Sequence, residues 1–246
     1  YRKFAFLGDP AIKLAMPEQN VIIDSINRDT VSALSEVLIY GHLADYNYNK
    51  ISNFNGKVNI SFYDKKSTFN TLGSNPSSSV ASFQMWKNII YKGKSSVNNG
   101  EFSFAFKVPK DISYNYGFSR ISFYAENGNI DASGYNDSLV IGGIDTNAVV
   151  DELGPELEMF LNDENFVSGG ITNSNPLLIV NVFDENGVNT VGNGIGHDIE
   201  LVMDNDYSNS IVLNDYYSSD LDTYKSGKIN YELKDLSSCI GRSRPH

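Results

Sequence analysis

The sequence predicts an all-β chain built as two consecutive antiparallel β-sandwiches, the second of them incomplete. Three observations predict this. Apolar residues recur with period two in one run after another. Clusters rich in Gly and Asn interrupt those runs at the spacing of short strands. No stretch as long as about eleven residues sustains the apolar stripe of an amphipathic helix. The chain has 246 residues, 41% of them hydrophobic and 12% aromatic, which is enough to fill cores and too apolar for a disordered segment.

Taken in order, the apolar run Phe4–Leu7 followed by Gly8-Asp9-Pro10-Ala11 reads as the closing strand of an upstream domain. Met16-Pro17 reads as the exit from it, so residues 1–16 are assigned to that neighbour. A first sandwich is expected over residues 17–144. Thr30 to Leu38 comes nearest to a helical stripe, but its β-branched residues leave helix and strand both open. Val58, Ile60 and Phe62 should face a core, with Asn59, Ser61 and Tyr63 on the other side. Leu72 to Val80, with its glycine, proline and serines, predicts a long surface loop. Phe102, Phe104, Phe106 and Val108 form the strongest alternating stripe, and Ile121, Phe123 and Ala125 repeat it. Turns are expected at Asn53-Phe54-Asn55-Gly56, Asn98-Asn99-Gly100, Glu126-Asn127-Gly128-Asn129 and Asp184-Glu185-Asn186-Gly187.

Residues 145–154 lack alternation and are expected to link to a second sandwich over residues 155–236. There Leu157, Met159 and Leu161 alternate, while the nearly continuous apolar run Leu177–Val182 predicts a strand buried on both faces. Pro10, Pro17, Pro109 and Pro155 all stand at run edges, where a missing N–H costs a ladder least. The tail 237–246 has no periodicity and turns basic after an acidic segment, so it is read as an atypical end.

Charge marks the same boundary. Residues 1–144 hold 14 basic and 12 acidic side chains, a net of +2, whereas residues 145–246 hold 5 and 18, a net of −13. The overall charge of −11 argues against nucleic acid, because an acidic surface repels phosphates. No apolar run approaches the roughly 20 residues of a membrane-spanning helix, so no transmembrane segment is expected.

Catalytic chemistry finds little to work with. The chain has one cysteine, Cys239, and three histidines, His42, His197 and His246. Cys239 lies in the atypical tail, and His42 follows a strand run and reads as its solvent-facing end, so no catalytic residue is assigned. Gly192, Gly194 and Gly196 imitate a phosphate loop, but no Lys-Ser/Thr pair and no helix pattern follows them. A bent β loop is the simpler reading, and no organic cofactor is expected. Calcium is the one cofactor with donors at hand: Asp163, Glu164, Asp184, Glu185, Asp204 and Asp206 supply hard oxygens from presumed loops, without the helix-loop-helix pattern of a dedicated site. Asp220 and Asp222 add two more. Tyr46, Tyr48, Tyr114, Tyr116, Tyr216 and Tyr217 lie outside the alternation, as packing over sandwich ends or as contact residues.

One resemblance covers nearly the whole chain up to Leu236. Phe6 to Leu14, Phe-Leu-Gly-Asp-Pro-Ala-Ile-Lys-Leu, resembles the junction where a gingipain-type cysteine peptidase domain leads into immunoglobulin-like modules. Asp64-Lys65-Lys66, Phe102 to Asp111, Tyr114 to Gly117, Tyr124 to Gly128, Asn162 to Phe166, Asn193 to Asp198 and Val212 to Tyr217 extend it in order. Together they are similar to the cell-surface sortases of the type IX secretion system, within the gingipain-type family. The resemblance implies a parent that cleaves C-terminal sorting signals of exported cargo at the outer surface of a Gram-negative cell. Its partners would be the upstream peptidase domain, outer-membrane secretion components and cargo. The family's catalytic Cys and His would precede Gly8, so these residues alone are expected to be inactive. The rival reading is a surface adhesion or glycan-binding β-sandwich module, stabilised by calcium or not.

Overall fold

The computed structural model describes residues 9, 11, 16–75, 77–148, 153–189 and 198–236. The Phe4–Leu7 strand, most of the junction after it, the loop of Gly192, Gly194 and Gly196, and the tail from Ser237 lie outside the described residues. So do His197, His246 and Cys239.

Strands dominate, as the alternation predicts. In chain order they are β1 (Gln19–Ile26), β2 (Thr30–Ala33), β3 (Glu36–Ala44), β4 (Gly56–Tyr63), β5 (Ser67–Asn70), β6 (Ser82–Met85), β7 (Ile89–Val97), β8 (Glu101–Lys107) and β9 (Gly117–Phe118). They continue with β10 (Arg120–Glu126), β11 (Asp131–Asn136), β12 (Val140–Ile144), β13 (Glu156–Leu161), β14 (Leu177–Phe183), β15 (Glu200–Leu201), β16 (Ile211–Val212), β17 (Tyr217–Ser219) and β18 (Ser226–Glu232). The helical content of the described residues is two single turns, Tyr207–Asn209 and Asn214–Tyr216.

The first half builds a seven-stranded sheet in the order β7-β4-β10-β11-β1-β3-β8, faced by the smaller sheet β2-β12-β9. Pairing is antiparallel except between β1 and β11 and between β2 and β12. Thr30–Leu38 resolves into two strands, with β2 ending just before Leu34, whose φ is +66°. Ser35 closes that corner by donating its hydroxyl to the Ser32 carbonyl at 2.7 Å. The predicted inward residues are buried: Val58, Ile60, Phe62, Phe104, Phe106, Ile121 and Phe123 join Val31, Ala33 and Ile141 of the smaller sheet in one core. Tyr91 stacks on Phe106 at 4.5 Å between ring centroids, and Phe62 meets Phe106 edge-on at 5.4 Å.

Two glycines fix this layout. Gly41 lies opposite Phe102 in the β3–β8 ladder, and a Cβ there would run into the Phe102 ring and the Ile22 carbonyl. Gly100, with φ +77°, follows Asn99 at +52°, the double left-handed pair that a two-residue hairpin needs. That turn brings β7 and β8, the two ends of the long sheet, side by side. Ser95 donates its hydroxyl to the Ser103 carbonyl at 2.7 Å, so the sheet curls around its core.

The second half forms the sheet β13-β14-β18-β17 with the small pair β15-β16. Leu178, Val180, Val182, Leu213, Tyr217 and Ile229 make its core. Two expectations change here. β14 is buried on one face only, since Leu177 and Phe183 at its ends are exposed and Ile179 and Asn181 are half-buried. Leu157 and Met159 pair with Val182 and Val180, yet are 57% and 65% exposed. β13 is an edge strand, and of its alternating trio Leu161 alone packs against the core of this half.

The predicted loop is the link of a hairpin between β5 and β6, which the sequence reading left unassigned. His42 does not end a strand. It sits inside β3 with Nδ1 2.7 Å from the Asp24 carboxylate.

A cleft and a carboxylate latch between the two halves

The candidate site lies where the curled edge of the first sheet meets the second half. Val108 and Pro109 continue from β8, Ile90 and Tyr91 come from β7, and Tyr217, Tyr224 and the loop from Asp184 to Asn189 close the opposite side. They enclose a cleft of about 450 Å³ with a mainly apolar lining. Lys92, Lys107 and Lys110 supply its cations. The wall of the second half is set by backbone bonds: Asp184 N–H donates to Lys225, and Val188 N–H to Tyr224, at 2.8 and 3.0 Å. Lys107 crosses the cleft and donates to Asn186 Oδ1 at 3.1 Å.

Three phenols line this boundary. Burial pushes the Tyr91 hydroxyl well above its ordinary value, and the Asp222 carboxylate and Tyr224 add to the rise. Tyr217 is raised by burial, then by Asp220 and Tyr91. Tyr224 is raised by burial and by Glu36 of the other half. All three stay neutral at physiological pH and act as apolar rings with one polar end.

Asp222 is the polar counterpart. Its backbone takes φ +61°, which turns the carboxylate toward β7. There it accepts from Ser96 N–H at 2.6 Å and from the Ser96 hydroxyl at 2.6 Å, and at 3.1 Å it shares the single Ser95 hydroxyl proton with the Ser103 carbonyl. Its own N–H donates to the Lys94 carbonyl at 3.0 Å, and Lys94 and Leu221 form a parallel bridge. Lys94 also donates through Nζ to the Ser218 hydroxyl. One strand-like pairing thus covers part of the open edge of β7. Burial alone would raise the Asp222 carboxyl, but the bonds from Ser96 and Ser95 outweigh it and hold the group below its usual range.

The six predicted cation ligands are dispersed. Asp163 accepts from Asn165 N–H, and Asp184 from Asn186 N–H, each closing its own turn. Glu164 pairs with Lys228, which holds its carboxyl below the usual value. Asp206 caps the turn at Tyr207 by accepting from Ser208 and Asn209. Asp204 occupies a left-handed position, and Glu185 is exposed. Among the described residues no three acidic, histidine or cysteine side chains gather into a metal site. The latch itself escaped the sequence reading, which grouped Asp220 and Asp222 with these oxygens. Asp222 and Ser96 are 126 residues apart, and no local pattern links them.

No helix among the described residues is long and apolar enough to cross a membrane. No protein-family model matches this chain. No curated protein matches it either. Among solved structures, dimeric latent PorU from Porphyromonas gingivalis is similar over 94% of this chain, with 30% identity and a TM-score of 0.57. The sporulation control protein Spo0M from Bacillus subtilis aligns over 68% of both chains at 12% identity, with a TM-score of 0.31, too slight a likeness to bear on fold or function. The chain spans 23% of the PorU chain's length, and it is to that region of PorU that its sequence and its arrangement of strands are similar.

Proposed function

We propose that this chain is the non-catalytic β-sandwich region of a type IX secretion sortase, placed after a gingipain-type cysteine peptidase domain. In this reading residues 1–16 end the peptidase domain, 17–144 and 155–236 are two sandwich modules, 145–154 connects them, and 237–246 is an atypical tail. The observation that carries it is 30% identity to PorU across 94% of the chain. The latch and cleft give the region a physical task. Hydrogen bonds from Ser95, Ser96 and Lys94 oppose rotation of one module against the other. A spacer so fixed holds a peptidase at a set distance from the outer membrane, where secretion components deliver cargo at the cell surface.

The experiment compares this chain with a longer product that includes the preceding peptidase domain. Both are incubated with an exported protein that carries its C-terminal sorting signal. The longer product is expected to remove the signal, and the chain alone to leave it intact. Cleavage by the chain alone overturns the proposal.

A further inference from the structure

We propose that the β5–β6 hairpin and the aromatic residues at its base form a docking surface for an acidic, extended polypeptide segment of a partner protein. None of its residues lines the cleft, and it does not rest on the function proposed above. It begins with a stack of alternating cations and rings. Lys66 Nζ lies 4.1 Å from the centre of the Trp86 ring, and the Arg120 guanidinium lies 5.1 Å from that ring. Arg120 also lies 4.2 Å from the centre of the Tyr135 ring. Lys87 stands over Phe69 at 5.5 Å, one strand away. Aromatic faces attract cations, so the rings hold these charges in place without neutralising them.

What they lack is a carboxylate. Arg28, Lys50, Lys57, Lys65 and Lys228 each meet one. Among the described residues, Lys66, Lys87 and Arg120 meet none within ion-pair distance. Arg120 donates Nε to the Ser122 hydroxyl at 3.2 Å, which leaves the outer edge of its fork unused. A flat, stacked guanidinium with a free edge is suited to a bidentate carboxylate. In a chain of net charge −11, three unpaired cations on adjoining rings form a local surface of the opposite sign.

The hairpin supplies the second half of the recognition. β5 and β6 form a two-stranded sheet of their own, so among the described residues the outer edge of each strand is unpaired. Every residue of β6 is exposed, with Phe83 and Met85 among them. The ends of the loop are tied by Thr71 and Ala81, whose backbone and side-chain bonds are both 2.9 Å, so the edge is preformed. An open strand edge binds an added strand through its backbone, and neighbouring charges select which one. Lysines on an edge also deter unwanted pairing. Arg120 belongs to β10 in another sheet, however, and edge protection does not account for it. Charge complementarity therefore selects a segment rich in Asp or Glu, and the open edge selects an extended one.

Trp86 is the chain's single tryptophan, so its fluorescence reports on this surface alone. The full chain is titrated with a short synthetic peptide of alternating valine and glutamate. A valine–lysine peptide and dextran sulfate serve as controls. A saturable fluorescence change with the glutamate peptide alone is expected. Binding should weaken roughly tenfold or more in the triple variant Lys66→Ala, Lys87→Ala, Arg120→Ala, and weaken with added salt. The pair Lys66→Glu, Lys87→Glu should reverse the preference toward the lysine peptide, a gain that misfolding does not produce. No saturable change, or equal binding by the triple variant, overturns the proposal. Equal binding of dextran sulfate overturns the assignment to a polypeptide. Self-association in sedimentation velocity that the triple variant abolishes would make a second copy the occupant, and would overturn it too.

Discussion

Asp222 shows how much one side chain contributes when three donors converge on it. Replacing it with Asn keeps the size and removes the charge, so the bonds from Ser95 and Ser96 lose their ionic share. A loss of about 1 kcal/mol is expected, at the modest end because the carboxylate is solvated. A urea melt at neutral pH measures it. The sign of the pH dependence follows from the downward shift. A carboxyl depressed in the folded state adds stability above the unfolded value of about 3.9, and that stability vanishes as pH falls through the folded value. Wild type and Asp222→Asn should therefore converge in acid and differ at neutrality. The buried phenols behave oppositely. Tyr91 and Tyr217 are raised, so their contribution is complete below about pH 10 and is lost as pH climbs above it. In an absorbance titration of the 15 tyrosines, these two should ionise last, together with alkaline unfolding.

At the scale of elements, the turn at Gly100 carries the sharpest test. Alanine there would hold a left-handed φ, and its Cβ would meet the Ile51 carbonyl. A loss of at least about 1–2 kcal/mol in a denaturant melt is expected, the backbone term alone supplying that much. The strands around this turn were legible because one face of each is buried, which writes a period of two into β4, β8 and β10. β13 carried the same period, yet Leu157 and Met159 are exposed, since alternation records which residues share a face and not what covers it. β5 and β6 were missed for the converse reason: with little to bury, they leave no apolar stripe. The latch was illegible because Ser95, Ser96 and Asp222 are ordinary strand and loop residues until the fold brings them together. The acidic loops make a further prediction. Asp163, Glu164, Asp184 and Asp206 are already engaged by turns or by Lys228, so calcium and a chelator should give the same thermal midpoint.

For the whole molecule, the relation of the two halves matters more than the fold of either. On the proposed function, Asp222→Ala with Lys94→Ala in the longer product that carries the proposed peptidase domain should slow removal of cargo signals while leaving cleavage of a short free peptide unchanged. Equal slowing of both substrates would place the effect in the peptidase domain instead. The long reach of the latch also has a consequence in time. Its two sides lie 126 residues apart, so a chain emerging end first completes the long sheet well before Leu221 and Asp222 exist to cover Lys94. Throughout that interval a finished sheet presents a bare flank to every neighbouring nascent chain. The hazard of mispairing is thus greatest at a definite moment during synthesis, and it ends when Leu221 and Asp222 arrive.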